Sequence, residues 1–87
     1  MKTRAEFGNF LKAKREAANI TQAEVAEKLG YTSAQFVSNI ERGLCAMPLA
    51  NITVWAETIG VPPALIFRKR ALVAMATMED KFKRGGR

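Results

Sequence analysis

The strongest constraint on this chain is a pair of short helical segments hinged on Gly30-Tyr31-Thr32-Ser33. Thr21-Gln22-Ala23-Glu24 spells a capping box. The threonine oxygen serves the free amides of a helix start, and a glutamate three residues on reaches back to the threonine N–H. The segment it opens carries Val25, Ala26 and Leu29 inward and stops at Gly30, after about eight residues. Past the turn, Thr32 or Ser33 is placed to cap a third segment holding Phe36, Val37 and Ile40, which Gly43 ends. Two short helices around a tight glycine turn make a near-perpendicular pair, and the second can project from the body.

The flanking sequence supplies that body. Phe7, Phe10, Leu11 and Ala18 recur at threes and fours between charged residues, which predicts a first helix from about Arg4 to Ala18, closed by Asn19-Ile20. Residues 44–47 read as a loop, and Pro48 suits the first turn of a fourth helix with Leu49, Ile52, Trp55, Ala56 and Ile59 on one side. Gly60 ends it. After Val61-Pro62-Pro63, Ala64 to Lys83 runs without proline or glycine and predicts a last helix longer than the others. Its apolar side is expected to be Leu65, Leu72, Met75, Met78 and Phe82, widened by Ile66, Val73 and Ala76, and Lys83–Arg87 is expected to be disordered. The fold class is therefore all-α: a compact bundle of four to five helices with an extended C-terminal helix.

With 87 residues, one core is expected. The sequence contains no histidine, and Cys45 is its only cysteine, so histidine acid/base chemistry, a Cys/His zinc site and an internal disulfide are all excluded. Cys45 is expected to be inert, and Trp55 belongs to the core stripe. No run of about 18 apolar residues is present to span a membrane, and the N-terminus lacks the apolar stretch of a signal peptide, so a cytoplasmic location and no membrane partner are expected. Neither a calcium-ligand pattern nor a phosphate-binding glycine loop occurs; no cofactor, no metal and no catalysis are expected. The net charge of +6 is concentrated at one end: residues 1–67 hold seven basic and six acidic groups, residues 68–87 seven and two. A polyanionic partner follows from that balance, nucleic acid or anionic lipid.

Thr21-Gln22, Leu29-Gly30 and Val37-Ser38-Asn39-Ile40-Glu41-Arg42-Gly43 at this spacing resemble the Cro/phage-repressor (XRE-type) class of helix-turn-helix DNA-binding domains. The resemblance covers about residues 4–67 and implies a lambda-repressor-like helix-turn-helix domain over 1–67, with a basic helical extension and tail at 68–87. One departure is visible. The stretch Tyr31-Thr32-Ser33-Ala34-Gln35 is one residue longer than the common turn, which leaves the register of base-reading residues open by one position.

In that setting the resemblance implies double-stranded DNA as partner and a recognition helix at about 33–41, of a width suited to the major groove. Ser33, Ala34, Gln35, Ser38 and Asn39 are the candidate base contacts. Glutamine and asparagine can pair with the adenine edge, and an alanine methyl can meet a thymine methyl. Gln35 is the leading reader. Lys14, Thr21, Gln22 and Arg42 are the candidate phosphate contacts; the family places the glutamine at the second helix's amino end on a phosphate, where free amides and the dipole favour an anion. The same analogy pairs Arg15 with Glu41 as a structural ion pair. Phe36 is expected to pack on Tyr31 rather than reach a base.

These features imply a small transcriptional regulator, a repressor in its simplest form, binding a palindrome as a homodimer, because one domain makes too few base contacts to find a single site. Two other readings share the fold. One is an antitoxin whose segment 64–82 holds a toxin or another protein partner, and the other is a helix-turn-helix used as a protein-interaction module.

Overall fold

The computed structural model describes residues 3–85, with side chains as far as Glu79. Five α-helices follow in order: α1 (Arg4–Ala17), α2 (Gln22–Leu29), α3 (Gln35–Glu41), α4 (Ile52–Ile59) and α5 (Pro63–Gly85), with a single 3-10 turn at Leu49–Asn51. No strand occurs among the described residues.

Local chemistry sets most of the boundaries. Thr3 caps α1 through a full capping box with Glu6, and Thr21 does the same for α2 with Glu24. Helix α1 ends on Asn19 in the left-handed region (φ 59°), and the Ile20 N–H returns to the Arg15 carbonyl. Gly30 (φ 83°) closes α2 in the same way, a conformation that a side chain at that position would oppose. Ala18 is exposed beyond the end of α1 instead of joining its apolar face.

Two expected helix starts are corrected. Neither Thr32 nor Ser33 is the N-cap of α3: that residue is Ala34, with no side-chain cap, and the Ser33 hydroxyl accepts only a long bond, 3.4 Å, from the Gln35 backbone N–H. The longer turn carries both hydroxyl residues upstream of the cap. Pro48, in turn, precedes the 3-10 turn rather than opening α4. Asn51 ends that turn buried, its amide donating to the Tyr31 hydroxyl at 3.0 Å, and only then does α4 begin.

The core joins Phe7 and Leu11 of α1, Val25 and Ala26 of α2, Val37 and Ile40 of α3, Met47 of the loop, Ile52, Trp55, Ala56 and Ile59 of α4, and Ile66 and Val73 of α5. Trp55 is wholly buried, and among the described residues its indole N–H meets no acceptor. Cys45 is half-buried against this core.

Helix α5 packs on α4 and α1, and the side it uses differs from the expected one. Ile66 and Val73 face the body, while Leu72, Met75 and Met78 are exposed. The body offers a contact only about two turns long, which one seven-residue interval fills. Arg70, between them, donates through Nε to the Met47 carbonyl at 2.6 Å and ties α5 to the loop before α4. The helix continues past the body and runs through Gly85, so Lys83–Gly85 are helical where disorder was expected. The placing of Phe82 on the apolar side, and of Gly86 and Arg87 in a frayed end, lies outside the described residues.

Candidate functional site

The elements around the α2–turn–α3 unit converge on one carboxylate. Arg15, in the last turn of α1, donates from Nε to Glu41 Oε2 at 2.7 Å and from Nη2 to Glu41 Oε1 at 3.1 Å. Its Nη1 donates to the Ile20 carbonyl at 2.8 Å. The Gln22 amide nitrogen, at the start of α2, donates to Glu41 Oε1 at 2.9 Å. Both members of the ion pair are buried, with side chains 9% and 2% exposed. The bond to Glu41 is the first cause that raises the Arg15 pKa above its ordinary value, against an opposing effect of burial. A bidentate pair whose third guanidinium nitrogen also bonds a carbonyl is a geometry in which burial of two charges is tolerated. It fixes the C-terminal end of α3 to α1 and α2 together.

Gly8 brings α1 against the same place. A methyl on its Cα would lie 2.6 Å from the Ile40 carbonyl oxygen, so the two helices touch main chain to main chain. Gly43, just past α3, is in the left-handed region (φ 77°) and abuts the Ala5 backbone. The end of α3 is thus clamped by packing and by hydrogen bonds.

On its outer side α3 carries a polar chain. Gln35 Nε2 donates to Asn39 Oδ1 at 2.9 Å, and Arg42 Nη2 donates to the same oxygen at 2.8 Å. Two accepted bonds on the carbonyl oxygen leave the Asn39 amide nitrogen as the donor of that side chain. Ser33 and Gln35 are exposed; Ala34, Ser38 and Asn39 are half-buried. Ser33 and Ala34 lie in the turn before α3 and not within it. Phe36 meets Tyr31 edge to face, with ring centres 5.0 Å apart.

The cationic and capping residues are distributed around this unit. Arg42 and Lys14 are exposed, and Lys14 Nζ lies 6.0 Å from the Phe10 ring centre. The Thr21 oxygen accepts from the Glu24 N–H at 3.1 Å, and Glu24 Oε1 accepts from the Thr21 N–H at 2.9 Å. That backbone bond, followed by the bond to the Thr21 side chain, holds the exposed Glu24 carboxyl below its ordinary pKa.

Several contacts were not foreseen from the sequence. The Thr3–Glu6 cap repeats the signal read at Thr21 and was legible there. Gln22 to Glu41, Asn51 to Tyr31, and Arg70 to Met47 join residues about twenty apart, where no local pattern points to a partner. Lys69 also reaches back to the body, with Nζ 4.8 Å from the Phe10 ring centre. Two of the charges counted with the basic tail therefore contact the bundle.

Among the described residues no cluster of His, Cys, Asp or Glu is arranged to hold a metal, and no helix is long and apolar enough to cross a membrane. The family model described as Helix-turn-helix (HTH_3) matches residues 11–66, well over half of the chain, from the middle of α1 to the first turn of α5. No curated protein matches the chain.

Proposed function

From the premise that the chain belongs to the helix-turn-helix family, whose domains serve DNA binding and regulation, we propose that it is a small sequence-specific transcriptional regulator. It acts in the cytoplasm as a homodimer on double-stranded DNA, in the simplest case as a repressor that occupies its operator and excludes polymerase. The observation that carries this reading is the outer side of α3: Gln35, Asn39 and Arg42 form one connected polar row on a helix whose inner residues Val37, Ile40 and Glu41 are buried.

Laid in the major groove, that row meets base edges with Gln35 and Asn39, while Ser33, Ala34 and Ser38 flank them. Arg42, at the end of the row, meets the backbone phosphates. Lys14, Thr21 and Gln22 supply further phosphate contacts. Gln22 retains one amide hydrogen for that purpose beside its bond to Glu41. Each well-formed base pairing contributes about 1–3 kcal/mol of discrimination. One short helix supplies few of them, so two domains on an inverted repeat are needed for useful selectivity.

Selection of bound sequences from a random double-stranded DNA pool tests the reading, at roughly 150 mM salt to suppress the sequence-blind electrostatic contribution. Recovery of an inverted repeat, with the preference lost in Gln35→Ala, is the expected result. Recovery of unselected DNA alone overturns it.

A further inference from the structure

Where the start of α1, the loop before α4 and the middle of α5 meet, the surface dips into a hollow of about 290 Å³. Phe7, Met47 and Val73, all buried, form its floor, and the exposed Ala74 and Thr77 stand at its mouth. Its size is close to the lower end of the roughly 300–1,000 Å³ that small-molecule sites occupy. Two arginines line the same hollow, Arg4 from α1 and Arg70 from α5. Among the described residues no carboxylate lines it, and neither arginine has an ion-pair partner. The other polar groups there are committed. The Thr77 hydroxyl donates to the Val73 carbonyl at 3.0 Å, and the Met47 carbonyl accepts from Arg70 Nε at 2.6 Å. That second bond holds the Arg70 guanidinium in place, while its two Nη nitrogens meet no acceptor among the described residues.

We propose that this hollow binds a small amphiphilic carboxylate, its hydrocarbon part over Phe7, Met47 and Val73 and its head between Arg4 and Arg70. The lining selects the occupant. A compact hydrophilic anion would give up hydration without covering the apolar floor. An amine would meet two uncompensated cations, and a neutral hydrocarbon would leave both of them unanswered. The Nη pair of Arg70 is a planar fork that a carboxylate matches with two parallel bonds, at a side chain already half-buried. Arg4, exposed on the first turn of α1, adds a second attraction from the other wall. The volume suits one medium-length chain or one ring. An occupant touches α1, the loop and α5 at once, so it stabilises their association. The hollow shares no residue with the Gln35–Asn39–Arg42 row, and the proposal stands apart from the DNA reading.

Octanoate is the probe, titrated calorimetrically into the full chain, with octan-1-ol, octylamine and acetate as comparisons. Saturable binding of one octanoate per chain is expected, with a dissociation constant of about 0.1 mM. Octan-1-ol is expected to bind about tenfold more weakly, and octylamine and acetate not measurably. At about ten times its dissociation constant octanoate should raise the melting point by roughly 5–10 °C. Three variants, each checked for folding by circular dichroism, locate the binding. Ala74→Trp fills the mouth without changing the charge and is expected to abolish it. Arg70→Lys keeps the charge but loses the fork, and is expected to weaken binding about fivefold. Arg4→Gln, at an exposed position, is expected to weaken it about threefold. Octanoate that fails to saturate the chain by about 1 mM overturns the proposal. So does octan-1-ol binding as tightly as octanoate, an Ala74→Trp protein that binds like the wild type, or indifference to both arginine substitutions.

Discussion

Replacing Gly8 with alanine tests how closely α1 approaches the end of α3. A glycine inside a helix costs about 1 kcal/mol relative to alanine, so the change would stabilise an exposed site. Gly8 is buried, and the added methyl would run first into the Glu41 carbonyl oxygen, with the Ile40 carbonyl oxygen and the Glu41 carbonyl carbon both at 2.6 Å. Carbon contacts are comfortable from about 3.5 Å, so the carbonyl carbon alone would force the helices to part by roughly 0.9 Å, and the nearer oxygen presses in the same direction. All three obstacles are main-chain atoms and none can rotate aside. Overpacking of this kind costs about 1–3 kcal/mol, and a rigid obstacle belongs at the upper end. Setting the helix-propensity gain against it leaves a net loss of about 2 kcal/mol. In a domain of this size that corresponds to a melting point lower by roughly 8–16 °C. Urea denaturation followed by the fluorescence of the buried Trp55 measures the loss directly. Ala13→Gly, on the exposed side of α1, calibrates the propensity contribution alone at about 1 kcal/mol. A Gly8→Ala protein as stable as the wild type, or more stable, would refute the close approach.

Three other outcomes follow from the site. Glu41→Ala leaves the Arg15 guanidinium buried and unpaired and is expected to cost about 3–5 kcal/mol, whereas Arg15→Met/Glu41→Leu recovers most of that loss; urea midpoints of the three proteins decide, and an undamaged Glu41→Ala would sink the account of the pair. Arg42→Ala is expected to weaken binding to all DNA sequences alike and to flatten the salt dependence of the affinity by about one unit of slope; a changed sequence preference would make it a base reader instead. Because the Glu24 carboxyl is held below its ordinary pKa, the stability it contributes is complete above the carboxylate range and is lost as the pH falls through and below that range. Glu24→Gln keeps an acceptor for the Thr21 N–H without the titration, so its denaturation midpoint should fall less steeply with acid, and parallel curves would contradict the assignment.

Most of the helical frame was legible because its signals are local. Glycines at 30, 43 and 60, the Thr21–Glu24 box and Asn19 mark ends that depend on a few neighbouring residues. The start of α3 was not, since nothing in Tyr31-Thr32-Ser33-Ala34 shows which residue the extra turn position displaces. The inner face of α5 was misjudged for a different reason. Leu72, Met75 and Met78 outnumber Ile66 and Val73, but which side is covered depends on the shape of the surface α5 meets, and that surface is assembled from α1 and α4. At the site, the family resemblance pointed to the Arg15–Glu41 pair, and the two residues are bonded. The bonds from Gln22 to Glu41 and from Gln35 and Arg42 to Asn39 depend on rotamers that only the assembled fold selects.

The anchoring of Glu41 to two other helices at once has a consequence for what α3 can adapt to. A helix whose C-terminal end is bonded to α1 and α2 cannot tilt or slide by itself to follow an imperfect groove. On the reading proposed above, in which α3 enters the major groove, any mismatch of curvature or groove width is then accommodated by the duplex. Its resistance to bending depends on the base steps it contains, flexible at pyrimidine–purine steps and stiff in A-tracts. Stiffness at base pairs that no side chain touches thereby enters the selection of a binding site.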